Sequence, residues 1–341
     1  MDDRTSSKPK PRAPFVDCLR VVLSSISFLL LAVLRRLMGQ RRRPGWSLRL
    51  EAIISAYRGS WSVMPELGLV RWRNVGDAMS PLQTDGLPPR FVRLGSGPRE
   101  IEGVWLEPPA AGAAVLLYFH GGGFAFASLR THGPLIGALA RAAGARTLAF
   151  DYRLAPEHPT PAALEDALAA YRYLLAQEVP PQRIVLAGDS AGGTLVLTTL
   201  LALRDAGEPL PAAGVALSPW VDLDCSGASF QTNAAFDFVG EEHCRLAAAA
   251  YLAGADPRRA DLSPLFAELH GLPPLLVHVG EAEVLRDQIH SFVERAKSAG
   301  ADVELALYPD MVHVWHMMRS ATPDAQRAID EVGAFVRKHA G

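Results

Sequence analysis

The sequence predicts an α/β protein: a mostly parallel eight-stranded sheet flanked by helices and covered by a helical cap. Three observations predict it. Short apolar runs alternate with helical patterns from about residue 90 to the end. Several runs are uninterrupted by polar residues, as strands covered by helices on both faces are. The alternation breaks once, between Trp220 and Pro274, where no strand pattern occurs and an alanine-rich helix is expected over Glu241–Ala253.

Taken in order, residues 1–44 form an arm that is a candidate membrane anchor. Arg4, Lys8, Lys10 and Arg12 make its start basic, Val21–Leu34 is uncharged and apolar, and Arg35, Arg36, Arg41, Arg42 and Arg43 follow. As a helix this apolar run spans about 21 Å, short of the roughly 30 Å hydrocarbon core of a bilayer. A cleaved signal peptide would carry small residues where the arginines stand. A spanning anchor would keep the arginine-rich side, and hence the rest of the chain, in the cytoplasm. A helix lying in the interface, with arginines at anionic headgroups, suits the length equally, and packing against the protein's own cap is the remaining alternative. The expectation is a cytoplasmic protein with membrane association through residues 15–43.

Residues 45–89 are read as the first part of the cap. Ser47–Tyr57 is expected to be helical with Leu48, Ile53, Ile54 and Tyr57 inward, and a loop-rich stretch broken by Pro65, Gly76, Pro81, Gly86, Pro88 and Pro89 follows. The main α/β domain is then residues 90–341. Its expected strands are Phe91–Leu94, Ile101–Leu106, Ala114–Phe119, Arg146–Phe150, Arg183–Ala187, Gly214–Leu217, Leu275–Val279 and Glu304–Tyr308. Its expected helices include Thr131–Ala143, Ala162–Ala176, Gly192–Ala206, Gln288–Ala299 and Asp324–Lys338, with a second cap segment at about 222–262.

Composition excludes some classes of function. A net charge of −2 gives no pull toward polyanions, and no basic run interleaved with aromatics offers a nucleic-acid surface. The cysteines, Cys18, Cys225 and Cys244, are odd in number and lack C-x-x-C spacing, so they read as reduced thiols, with a Cys225–Cys244 disulfide as the alternative.

Chemistry concentrates in four places. Gly188-Asp189-Ser190-Ala191-Gly192 lies between a strand pattern and a helix pattern, the setting of a nucleophile elbow. Small residues two before and two after Ser190 permit the sharp turn, and the following helix dipole favours developing negative charge. His120-Gly121-Gly122-Gly123 follows another strand, and the amides of Gly122, Gly123 and Ala191 are candidate oxyanion donors. His120 is read as a structural residue of that loop. A weakly acidic serine needs a base. His313, in the loop after the last strand, has the right place in the chain order serine, acid, histidine. His316 is read as a helix-face residue, and its H-x-x-H spacing with His313 is weak evidence for a metal. Glu281, Glu283 and Asp287 follow the preceding strand; Glu283 is the expected acid and Asp287 the alternative.

Together these residues resemble the hormone-sensitive-lipase branch of the α/β hydrolases, the bacterial HGGG/GDSAG carboxylesterases. The matching pieces are His120–Gly123, Asp151-Tyr152-Arg153-Leu154-Ala155-Pro156-Glu157-His158-Pro159, Gly188–Gly193, Glu283–Asp287 and His313. The resemblance implies an α/β-hydrolase fold and a serine carboxylesterase acting on short-to-medium acyl esters through an acyl-enzyme, with Ser190 as nucleophile, His313 as base and no metal or organic cofactor. Two departures stand out. Glu283-Val284-Leu285-Arg286-Asp287 replaces the family's common D-x-L-x-D, making the aligned acid a glutamate, and Val314-Trp315 follows the histidine where Gly-Phe is frequent. The apolar arm is similar to that of membrane-anchored arylacetamide-deacetylase-like relatives. Two rival readings are an amidase or deacetylase using the same triad and a non-catalytic small-molecule receptor on the same fold.

Overall fold

The computed structural model describes residues 13–94 and 101–341, so Arg4, Lys8, Lys10 and Arg12 lie outside the described residues. Among the described residues, four helices precede the sheet: α1 (Phe15–Leu37), α2 (Leu48–Trp61), α3 (Met64–Leu67) and α4 (Leu69–Met79). The strands are β1 (Arg90–Leu94), β2 (Ile101–Leu106), β3 (Val115–Phe119), β4 (Arg146–Phe150), β5 (Ile184–Asp189), β6 (Ala213–Leu217), β7 (Leu275–Gly280) and β8 (Val303–Tyr308). They form one eight-stranded sheet in the order β1-β2-β4-β3-β5-β6-β7-β8. β2 runs antiparallel to both its neighbours, and the pairings from β4 through β8 are all parallel.

The remaining helices are α5 (Leu129–Ala143), α6 (Ala162–Ala176), α7 (Ala191–Asp205), α8 (Ser229–Thr232), α9 (Glu241–Leu252), α10 (Arg286–Ser298) and α11 (Pro323–Ala340). The two-residue period of a strand sorts their partners. Leu116 and Tyr118 of β3 pack with Leu139 of α5 and Val332 of α11, whereas Leu117 and Phe119 pack with α6, α7 and α10 residues such as Ala167, Leu197 and Phe292. Both faces are covered, so β3, β5, β6 and β7 are buried throughout. Each such buried Leu, Val or Phe contributes roughly 1.5–3 kcal/mol from apolar burial.

The first 80 residues depart from expectation in two ways. The stretch read as loop-rich contains α3 and α4. Pro65 stands in the first turn of α3, where its missing N–H removes no helical bond, and Gly76 lies inside α4. Leu69, Trp72 and Val75 form a buried stripe at three-residue spacing that outweighs the cost of the glycine. In α2, Ile54 is buried as expected but Leu48 is exposed, while Leu50 and Glu51 face inward. Glu51 is fully covered and pairs with Arg36 of α1 at 3.2 Å.

α1 lies along α2, with a residue-thin approach at Gly59, where an added Cβ would meet the Ser24 carbonyl oxygen at 2.5 Å. Its inner side buries Asp17, Val21 and Ala32, and Asp17 accepts a two-pronged bond from Arg71 of α4 at 2.5 and 3.0 Å. Its outer side carries exposed Phe15, Leu19, Leu23, Ile26, Leu30, Leu34 and Leu37.

Candidate active site

Parallel strands deliver their following loops to one edge of the sheet. β3 leads into His120, β5 into Ser190, β7 into Glu283 and β8 into His313, so four segments distant in sequence meet there. The residues read from the sequence as nucleophile, base and acid are brought together. His313 Nε2 lies 2.9 Å from Ser190 Oγ, and His313 Nδ1 lies 3.5 Å from Glu283 Oε2.

Ser190 holds a left-handed backbone, φ 53° and ψ −120°, at the first turn of α7. The conformation is strained for a residue with a Cβ and is held by its surroundings. The Ser190 N–H donates to Leu217 O at 2.8 Å, and its carbonyl accepts from Thr194 and Trp220. The small flanking residues are required by space. A Cβ on Gly188 would come within 2.4 Å of Gly192 O, and one on Gly192 within 2.0 Å of Phe119 O.

His313 is buried. Burial alone would lower its pKa, but Glu283, with Asp237 and Asp189 nearby, reverses the direction and raises it. Because Nε2 faces the serine hydroxyl, the neutral ring carries its proton on Nδ1, toward Glu283. Glu283 is fully buried and, among the described residues, neither of its carboxylate oxygens accepts a hydrogen bond from any other group. Its charge is directed at the imidazole. Asp287, the alternative acid, is engaged elsewhere: Oδ1 pairs with Arg286 at 2.8 Å and Oδ2 accepts the Ser229 N–H at 2.8 Å.

The glycine loop curls as its sequence suggests. Gly122 and Gly123 have φ of +112° and +56°, and both border the cavity over Ser190. Among the described residues, no hydrogen bond within the chain uses the N–H of Gly122, Gly123 or Ala191, which leaves these donors available to a ligand. Asp189 fastens this loop to the elbow. It accepts the Tyr118 hydroxyl at 2.5 Å and the Gly121 N–H at 3.0 Å, and lies 3.2 Å from His132 Nε2. Burial would raise the Asp189 pKa, but these partners hold it at about 2.

His120 is buried and stacked on Tyr152 at 4.3 Å, and burial pushes its pKa down to about 4. Tyr152 in turn donates to the His120 carbonyl at 2.8 Å, which fits a loop-holding residue. His316, read from the sequence as a helix-face residue, sits fully buried on a short 3-10 turn, 3.0 Å from His278 Nδ1. Among the described residues no group of three or more His, Cys, Asp or Glu is placed to hold a metal. Cys225 and Cys244 are free thiols.

Ser190 and His313 lie at the base of a cavity of about 520 Å3. Its roof comes largely from segments that carry no motif: Val21 and Ser25 of α1, Tyr57 and Trp61 of α2, Trp72 and Met79 of α4, and Phe238 before α9. Trp61 is the hub, in ring contact with Trp72, Phe126, Phe238 and His243 at 5.3–6.2 Å. Sequence reading placed Tyr57 inward and residues 45–89 in the cap but did not single out Trp61, Trp72 or Phe238; the aromatic spacing of Tyr57, Trp61 and Trp72 was the available signal.

A nucleophile elbow with a facing histidine, on a mostly parallel eight-stranded sheet, defines an α/β hydrolase, and the chain belongs to that family: the alpha/beta hydrolase fold family profile matches residues 116–317. Within it the chain is of the hormone-sensitive-lipase type. It is 44% identical over 292 residues to an acetyl-hydrolase of Streptomyces hygroscopicus, covering 81% of this chain and 98% of the relative. A solved esterase from the bacterial hormone-sensitive lipase family is 41% identical with a TM-score of 0.72, covering 97% of this chain and all of that one. A hormone-sensitive lipase from a metagenome library is 36% identical with a TM-score of 0.78, covering 84% and 98%. The chain is a carboxylic ester hydrolase.

Proposed function

We propose that the protein hydrolyses short-to-medium acyl esters by two-step acyl transfer on Ser190. The observation that carries this reading is the 2.9 Å approach of His313 Nε2 to Ser190 Oγ at the floor of an apolar cavity, with the buried Glu283 behind the ring. Ser190 Oγ gives its proton to His313 as it attacks the ester carbonyl carbon. Glu283 stabilises the imidazolium that forms, and the amides of Gly122, Gly123 and Ala191 hold the oxyanion. His313 then protonates the leaving alcohol, leaving the acyl group on Ser190. Water attacks this acyl-enzyme, giving a proton to His313, and collapse returns that proton to Ser190 with release of the acid. Every step uses groups of the chain and water. The aromatic roof around Trp61 limits the length of the acyl chain, in keeping with a relative named for acetyl hydrolysis.

The test is hydrolysis of a p-nitrophenyl ester series from acetate to dodecanoate, with fluorophosphonate labelling. Turnover should peak at short-to-medium chains and vanish, together with labelling, in Ser190→Ala. Turnover retained in that variant, or a preference for matched anilides over aryl esters, overturns the reading.

The outer face of α1 supports association with a membrane from the cytoplasmic side, the helix lying along the surface. Its apolar row is continuous from Phe15 to Leu37, and its inner face is held to α2 and α4, the latter through Asp17 and Arg71. Spanning would require breaking that pair and baring Glu51. Leu23→Glu with Leu30→Glu should abolish flotation of the full chain with anionic vesicles while leaving hydrolysis of a soluble ester unchanged. Undiminished flotation discards the idea.

A further inference from the structure

The loops bearing Glu283 and His313 are joined at their bases, where the Glu281 N–H donates to Tyr308 O at 3.0 Å and the Ala282 N–H to Met311 O at 2.8 Å. Beyond that join, residues 229–238 bond to both loops a second time, next to Glu283 and His313 themselves. Three polar side chains spaced four residues apart reach down from this segment. Ser229 Oγ donates to Val284 O at 2.6 Å and accepts the Asp287 N–H at 3.1 Å. Asn233 Nδ2 donates to Glu281 O at 3.0 Å and to Glu283 O at 2.8 Å. Asp237 Oδ2 accepts the Val284 N–H at 2.9 Å, and its Oδ1 accepts the N–H groups of His313 at 3.2 Å and Phe238 at 2.8 Å.

We propose that Asp237 is a positioning residue for the triad, whose one carboxylate joins the main chain beside the acid to the main chain of the base and so fixes the separation of Glu283 and His313. Asn233 and Ser229 complete the clamp on the acid's side. The inference rests on the Ser190, His313 and Glu283 reading above.

Two further features fit a functional role. Asp237 is buried, and its surroundings do not favour its charge: burial raises its pKa to about 6 although His313 and two N–H donors oppose the shift. A carboxylate kept there at neutral pH costs stability, which a packing residue would not need to do. The groups facing it are His313, which favours its charge, Glu283, which opposes it, Arg58 of α2 and Cys244 of α9. The groups facing His313 are Glu283, Asp237, Asp189 and His316. The segment is itself held from the N-terminal helices, since Arg58 donates to the carbonyls of Ala234 and Asp237, and Arg42 to that of Ala235. Triad register is thereby tied to the seating of the cap.

Asp237→Asn keeps the side-chain volume but turns one acceptor into a donor facing an N–H. The full chain carrying it should show kcat for a soluble aryl ester reduced about 10- to 100-fold, with KM within about twofold, since no substrate contact is removed. The acidic limb of kcat/KM should move to lower pH, because a negative charge that raises the His313 pKa is gone. Thermal melting at pH 8 should fall modestly, because the new amide N–H faces a buried main-chain N–H that it cannot bond. A merely structural role predicts lowered melting with kcat of the folded protein unchanged. The inference is overturned by kcat within twofold of the parent, by a loss confined to KM, or by an unshifted limb. If Asp237→Asn does not fold, Asn233→Ala decides: kcat must fall at least fivefold with melting retained, and any other outcome overturns the proposal. Fluorophosphonate labelling of Ser190 in the parent separates the two ideas, because labelling with no Asp237 effect removes only this inference, whereas absent labelling removes the triad reading itself.

Discussion

Glu283→Gln offers the sharpest trial of the site. Glu283 is fully buried, its Oε2 is 3.5 Å from His313 Nδ1, and among the described residues Nδ1 makes no hydrogen bond to any other group. A glutamine amide there can donate to Nδ1, which favours the tautomer with its proton on Nε2. That nitrogen then cannot accept from Ser190 Oγ, 2.9 Å away. No neighbouring carboxylate substitutes, since Asp287 is paired with Arg286 and Ser229 and both oxygens of Asp237 are taken by main-chain N–H groups. The expected loss in kcat is about 10⁴-fold, the scale on which the wrong tautomer acts in comparable triads, or about 5 kcal/mol of transition-state stabilisation. Asp287→Asn should cost less than about tenfold, because it loosens the clamp without touching the ring. The assay is kcat and KM for a soluble aryl ester near pH 8, with circular dichroism to show that both variants fold. A folded Glu283→Gln that keeps a tenth of parental kcat, or a larger loss in Asp287→Asn, would falsify the assignment of the acid.

Other outcomes follow from the same geometry. His313 works as a base only when neutral, and its pKa is raised in the folded protein, so kcat/KM should fall as pH drops through a value above 6.5; a limb below that value contradicts the effect of Glu283. Gly192→Ala forces a Cβ to 2.0 Å from Phe119 O, a backbone atom that cannot swing away, and should destabilise by about 3 kcal/mol, read from urea unfolding; an unchanged midpoint refutes the close approach. Trp61→Ala opens the roof and should shift the preferred acyl length upward in the ester series, with an unchanged optimum placing the acyl chain elsewhere.

Much of the catalytic layer was legible because its physics is local. Strands buried on both faces are written as unbroken apolar runs, and each expected strand lies within a residue or two of an observed one. An elbow announces itself through the small residues its turn demands. The particular residues of the roof were less legible. Glu51 faces inward because Arg36 waits in α1, and no count of apolar periodicity reveals a charge pair contributed by another helix. α4 hid behind Gly76, since propensity weighs a single residue while packing weighs the stripe of Leu69, Trp72 and Val75. Asp237 was missed for a third reason: its partners are main-chain groups of two loops lying 47 and 76 residues downstream, and only folding brings them within reach.

The division of labour between floor and roof bears on how such an enzyme diversifies. Ser190, Glu283 and His313, the candidate catalytic groups, follow strand ends whose spacing tolerates little change, whereas Tyr57, Trp61 and Trp72 come from helices outside the sheet. Mutations there can retune which molecules are admitted without disturbing the chemistry, so a lineage can explore new diets while its reaction stays fixed. Arg42 and Arg58 set the limit on that freedom: a transplanted roof lacking them would arrive without the latch that its host's machinery leans on.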